Sequence, residues 1–135
     1  MATSRCALCR IANGELQVDT IVETENIIGF LNGVEALSRG HCVFFPKRHA
    51  PSLHEVDDPS LSEILVLIKK VADALEIDTY NVLQNNGALA GQTVFHAHVH
   101  LIPKWSETDG LRWDHGGRRI DQTDMSHKIR ANLAC

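Results

Sequence analysis

A chain of 135 residues and 15.0 kDa has the size of one compact domain and is too short for two ordinary ones. Its composition, 44% hydrophobic and 22% charged, excludes a disordered or collagen-like chain. Thirteen Lys and Arg against seventeen Asp and Glu give a net charge of −4, which leaves no basic surplus for nonspecific binding of nucleic acid or of an acidic membrane.

In chain order, the segment up to Gly14 carries Cys6-x-x-Cys9 and reads as a loop with one turn. A β-like run over 16–24 leads through Glu25-Asn26 into a second over 27–31, the spacing of a hairpin. A short apolar strand over 41–45 is stopped by Pro46. Asp58 as N-cap and Pro59 at the first helical position predict a helix. Its apolar stripe comprises Leu61, Ile64, Leu65, Ile68, Val71, Ala72 and Leu75. Strands over 77–83 and 93–102 follow, separated by a loop rich in Asn and Gly. Beyond Lys104 the chain is polar, with a short helix built on Met125, Ile129 and Leu133. One long helix among hairpin-like strands predicts an α+β fold with a mostly antiparallel sheet, one domain over 1–135 with its core in 6–105 and a tail over 106–135. The longest apolar run, 64–68, is far below the ~20 residues of a membrane span, and the N-terminus lacks the apolar core of a signal peptide, so a cytoplasmic location is expected.

The chemistry concentrates in 93–102, where apolar residues alternate with His96, His98 and His100. Alternate residues share one face of a strand, so the three imidazoles project together, with Phe95, Ala97, Val99 and Leu101 behind them. With eight histidines in 135 residues, such a triplet arises by chance with a probability of roughly 0.03. Two uses suit three aligned imidazoles: a metal site, or a nucleophile flanked by groups that bind an anion. Gly91, Gln92 and Thr93 just upstream, with Asn85 and Gly87, offer neutral donors suited to phosphate, and a neutral imidazole is a nucleophile at pH 7 without further activation. Covalent phosphoryl or nucleotidyl chemistry is the favoured reading.

The pattern His96-Ala-His98-Val-His100-Leu-Ile, preceded by Gly91-Gln92-Thr93-Val94, resembles the histidine triad family of nucleotide hydrolases and transferases. Phe30-Leu31-Asn32, Gly40-His41 through His49, and the Cys6-x-x-Cys9 start extend the resemblance over residues 6–105. The resemblance implies a sheet continued across a homodimer and a tail reaching the partner's active site. It implies His98 as the nucleophile on the α-phosphorus of a purine nucleotide, a nucleoside phosphoramidate or a dinucleoside polyphosphate, cleaved through a nucleotidyl-His98 intermediate and supported by buried His41. It places His100, Gly91, Gln92, Thr93 and Asn85 around the phosphate, Asn32 at the ribose, and Phe30 and Ile28 at the base. The stretch from Asn32 to His41 is one residue longer than the family's commonest pattern.

Cys6-x-x-Cys9 sits too close to the N-terminus for a redox motif that follows a strand, and two further ligands would complete a zinc site. His41, His49, His54 and His96 are the candidates; the resemblance selects His49 and His96, and implies a structural Zn2+ in a closed Cys2His2 shell. His54 is expected at the surface, Cys42 in the core, and Trp105, Trp113, His115 and Cys135 at the surface of the tail. Three other readings remain: a nucleotide-binding module without turnover, a metal hydrolase built on all three triad histidines, and a structural zinc protein.

Overall fold

The computed structural model describes residues 5–114 and 116–134; His115 and Cys135 lie outside them. Five strands, β1 (Asp19–Glu23), β2 (Ile27–Leu31), β3 (Cys42–Pro46), β4 (Tyr80–Leu83) and β5 (Val99–Pro103), form one antiparallel sheet in the order β1-β2-β3-β5-β4. With the helices α1 (Ala7–Ala12), α2 (Asp58–Leu75) and α3 (Thr123–Leu133), this is the expected α+β fold.

Period-two alternation divides the sheet cleanly. Ile27 of β2, Cys42 and Phe44 of β3, and Val99 and Leu101 of β5 pack with Ile64, Leu67, Ile68 and Ala72 of α2. The intervening residues Ile28, Phe30, Val43 and Phe45 pack on the opposite face with Leu8 of α1. Gly29 interrupts β2 because the Phe44 ring lies across it: a Cβ there would stand 2.7 Å from that ring and from Val22 Cγ1. The stripe of α2 differs from expectation at one position. Leu67 is buried, whereas Leu65 is 61% exposed.

The cap of α2 is Asp57, one residue earlier than expected, so Pro59 falls at the second helical position. The Asp57 carboxylate accepts from the Ser60 backbone N–H at 3.1 Å and from the Ser60 hydroxyl, and these bonds hold its pKa below the usual carboxylate value. Residues 7–12, expected as a loop with one turn, form the six-residue helix α1, whose N-cap Cys6 accepts from the Cys9 N–H. The strand expected over 77–83 begins only at Tyr80.

The strand expected over 93–102 begins only at Val99. The pairing Cys42↔Leu101, Val43↔His100, Phe44↔Val99 would set Pro46 opposite Ala97. Proline has no N–H to donate, so the ladder stops there, and the Ala97 N–H instead reaches the Ala50 carbonyl at 2.7 Å. Phe95, expected on the helix-facing side, lies in this irregular stretch and is 51% exposed.

Both edge strands are short. β1 is bulged between Thr20 and Val22, whereas β4 runs in regular register against β5 and leaves Tyr80 and Val82 exposed. Helix α3 forms as expected, but Met125, Ile129 and Leu133 are all exposed. Among the described residues no helix is long and apolar enough to cross a membrane.

Candidate active site and metal centre

Sheet alternation sends His100 to the face opposite α2, and His98, immediately before β5, and His41, immediately before β3, join it. Together they line a cavity of about 420 Å³. Its walls include Phe30, Asn32, Val43, Asn85, Gly91, Gln92 and Thr93, so nearly all the residues expected around a nucleotide meet there. Ile28 does not. It shares its face of β2 with Phe30 but is packed away with Leu8, Val43 and Phe45.

Hydrogen-bond partners that can act in only one direction fix the imidazole tautomers. The Leu37 backbone N–H donates to His41 Nδ1 at 3.1 Å, so the proton of neutral His41 is on Nε2. Nε2 lies 2.9 Å from His100 Nδ1 and donates to it, which leaves the proton of neutral His100 on its own Nε2. The His96 carbonyl, 2.7 Å from His98 Nδ1, can only accept. His98 therefore holds its proton on Nδ1 and keeps a lone pair on Nε2, the form a nucleophile needs. Burial lowers the pKa of His41 and pushes that of His100 down to about 4, with the charges of His98 and His41 adding to the effect, so His100 is neutral at pH 7.

The remaining polar groups divide into two kinds. Asn32, Asn85 and Thr93 line the cavity, and their side chains make no hydrogen bond within the described residues. Gln92, expected to present its amide to phosphate, is 4% exposed and braces the loop instead. Its Nε2 donates to the Pro51 and Val94 carbonyls at 2.7 and 3.0 Å, and its Oε1 accepts from the Gly87 N–H at 2.8 Å. Gly91, at φ +96°, stands where a Cβ would approach the Asn85 amide to 3.3 Å, so glycine is required to leave that amide room. Among the described residues no Lys or Arg lines the cavity, and Glu35 is the one carboxylate in its lining. Sequence reasoning missed Leu8, Val43, Ile102, Glu35 and the Leu37 N–H; a backbone donor leaves no signature in composition or spacing.

His96 faces elsewhere. Its Nε2–H donates to the Pro46 carbonyl at 2.7 Å, and its Nδ1 lies 3.3 Å from Cys6 Sγ, 3.5 Å from Cys9 Sγ and 3.2 Å from His49 Nδ1. Cys9 Sγ and His49 Nδ1 are 3.3 Å apart, and all four donor atoms fall within 4.8 Å of one another. A tetrahedral ion bound at ~2.05 Å to nitrogen and ~2.3 Å to sulfur has edges of about 3.3–3.8 Å, and the outward-facing Nε2–H of His96 is the orientation a ligating imidazole adopts. The donor set fits a metal, and all four expected ligands are in it. It is the only such cluster among the described residues, so the three triad histidines do not converge on one ion. His54 is exposed and Cys42 is buried, with its thiol pushed up to about 11 by burial; both match expectation.

Because His100 titrates at about 4 when folded but near 6.5 when unfolded, the unfolded chain binds more protons between those values. Stability is therefore fully present above about pH 6.5 and falls as the pH drops toward 4, and His41 acts in the same direction. Denaturant midpoints measured from pH 7.5 to 4.5 should decline less steeply for His100→Asn than for the wild type. Parallel slopes would refute the assignment.

A HIT domain model matches residues 13–107. The chain is 43% identical over 106 residues to an adenosine 5'-monophosphoramidase of Schizosaccharomyces pombe, covering 78% of this chain and 79% of that one. It is 38% identical over 125 residues to an adenosine 5'-monophosphoramidase of Saccharomyces cerevisiae, covering 91% and 78%. The crystal structure of a histidine triad nucleotide-binding protein from Candida albicans superposes with a TM-score of 0.88 at 34% identity, over 96% of this chain and 97% of the other. With its histidines arranged as described and the match spanning the sheet and the long helix, the chain belongs to the HIT domain family, the histidine triad proteins.

Proposed function

We propose that this protein hydrolyses a nucleoside phosphoramidate at its α-phosphorus through a covalent nucleotidyl-His98 intermediate. The observation that carries the proposal is the tautomer of His98, which lines the cavity and whose Nδ1–H is tied to the His96 carbonyl, leaving the lone pair on Nε2. Nε2 attacks phosphorus, the P–N bond to the leaving amine breaks, and the amine departs with a proton taken from solvent water, which the attacking water of the second step gives back. Water then attacks the same phosphorus, the P–Nε2 bond breaks, and His98 returns to its neutral form with a nucleoside monophosphate released. The Nε2–H of His100 and the Asn85 and Thr93 side chains stabilise the phosphoryl oxygens, Phe30, Val43 and Leu8 hold a purine base, and Asn32 binds the ribose. The names of the relatives support a phosphoramidate over a dinucleoside polyphosphate. The cavity lining agrees with a substrate of low charge, since among the described residues it includes no Lys or Arg to neutralise a chain of phosphates. His98→Ala should abolish turnover yet leave nucleotide affinity within about tenfold, or ~1.4 kcal/mol. Turnover above a few per cent of wild type would remove His98 from the nucleophile's role.

The Cys6, Cys9, His49 and His96 cluster is proposed to hold a structural Zn2+. Four protein ligands leave no coordination position for a substrate water, so the ion would supply cross-linking of the N-terminal segment to the His96 backbone and no Lewis-acid chemistry at phosphorus. Cys9→Ser should lower the melting temperature, while the fraction that remains folded still forms nucleotidyl-His98. If chelation stopped turnover in a sample whose circular dichroism was unchanged, the structural role would be wrong.

The protein is further proposed to be a homodimer paired through the β4 edge, whose regular register and exposed Tyr80 and Val82 contrast with the bulged β1. Light scattering at micromolar concentration should return twice the 15.0 kDa chain mass, and a mass near 15.0 kDa would reject the dimer.

A further inference from the structure

The loop between β2 and β3 supplies the N–H that fixes the His41 tautomer, and at Leu37 it is only lightly packed, although Gly40 lies against Pro103 and Leu75 and the His41 N–H closes a turn on the Ser38 carbonyl at 3.2 Å. Leu37 is 44% exposed, and its N–H could swing away from His41 at little cost in buried surface. A turn after β5 clasps the loop from outside. The Ser38 hydroxyl donates to the Pro103 carbonyl at 2.6 Å, the Trp105 indole Nε1–H donates to the Arg39 carbonyl at 2.8 Å, and the Gly110 N–H donates to the Leu37 carbonyl at 3.0 Å. The turn is itself preorganised. The Asp109 carboxylate accepts from the backbone N–H groups of Trp105 and Ser106 at 3.0 and 2.8 Å, and Lys104 Nζ donates to the Asp109 carbonyl at 2.6 Å. Gly110 has φ +75°, and a Cβ there would stand 3.0 Å from the Pro103 carbonyl oxygen, so only glycine closes the turn this tightly.

We propose that Trp105 is a positioning residue for phosphoryl transfer: its indole N–H, with the turn over 104–110, holds the 37–40 loop so that the Leu37 N–H fixes the proton on His41 Nε2, and through it the proton on His100 Nε2 that faces the substrate. Trp105 is itself 54% exposed and does not line the catalytic cavity. Its effect therefore passes through three successive hydrogen bonds rather than through contact with the substrate. The inference rests on the phosphoryl-transfer reading above for its kinetic consequence, but the tautomer chain is observable without turnover.

The test is Trp105→Phe, which keeps an aromatic ring and removes the N–H. In the wild type, imidazole 15N spectra should show one protonated and one unprotonated nitrogen for each of His41 and His100. In Trp105→Phe the two nitrogens of His41 should move toward averaged shifts, with kcat about tenfold lower and KM for adenosine 5'-phosphoramidate within about twofold. Ser38→Ala should have the same signature, and Ser38→Thr, which restores the hydroxyl, should rescue it. Tautomer signals unchanged in both Trp105→Phe and Ser38→Ala would overturn the proposal whatever the rate. So would a rate loss that tracks a fall in melting temperature and is not rescued by Ser38→Thr. If the wild type turned over no phosphoramidate, the functional reading would fail while the 15N signals still decided the clamp; should Trp105→Phe fail to fold, the Ser38 pair decides it alone.

Discussion

The antiparallel register of β3 against β5 is the constraint on which the rest of the molecule depends. Pairing Val43 with His100 puts Phe44 and Val99 toward α2, and turns His98, His100 and the approach to His41 the other way. A slip by one residue would exchange the core for the active site. Stacking of Phe44 over Gly29 and burial of Val99 and Leu101 against α2 make such a slip expensive, since each displaced large side chain costs about 2–5 kcal/mol. Pro46 then ends the ladder, and the freed segment around His96 bends toward the cysteines. One residue without an N–H thus separates the metal-type cluster from the catalytic face within the length of a single triad.

The catalytic face works with neutral groups. His100 and His41 are kept uncharged by burial, and their protons are placed by partners that can only donate or only accept. On the proposed mechanism a chain of neutral imidazoles has no charge to reorganise when phosphorus is attacked, and a fixed N–H is worth more in a half-buried cavity than in water. The exposed Glu35 in the 33–36 stretch adopts φ +57°, a conformation uncommon outside glycine, so the loop that follows Asn32 carries local strain beside the cavity.

The metal-type cluster and the catalytic cavity share a wall. Leu8 sits between the two cysteines on α1, is buried with Phe30 and Val43, and lines the cavity. His96 connects the two through its carbonyl, which orients His98, while its ring joins the cysteines. Holding the N-terminal segment would therefore shape the apolar wall of the cavity as well as the fold.

The local patterns of the sequence determined a good deal: the triad as the centre of the chemistry with His98 and His100 on one side, a helix carrying the apolar stripe from Leu61 to Leu75, the hairpin of β1 and β2, the Cys-x-x-Cys pair, and through the resemblance the two histidines that complete it. The single face expected for all three triad rings is not formed, because the strand starts only at Val99 and His96 turns to the cysteines. Period-two and period-3.6 repeats and ligand spacing are properties of neighbouring residues, so they are legible without a fold. The tertiary structure decided what depends on residues far apart in the chain. Pro46 stands opposite Ala97 only once the register is set, and that pairing shortened the expected strand by six residues at its start. Gln92 braces its loop because the Pro51 carbonyl arrives beside it, and Ile28 is hidden because Leu8 packs on that face. Which nitrogen of His41, His98 and His100 bears the proton is set by a backbone N–H, a carbonyl and a neighbouring ring. None of these has a signature in residue type, because every residue but proline carries the same main-chain donor and acceptor.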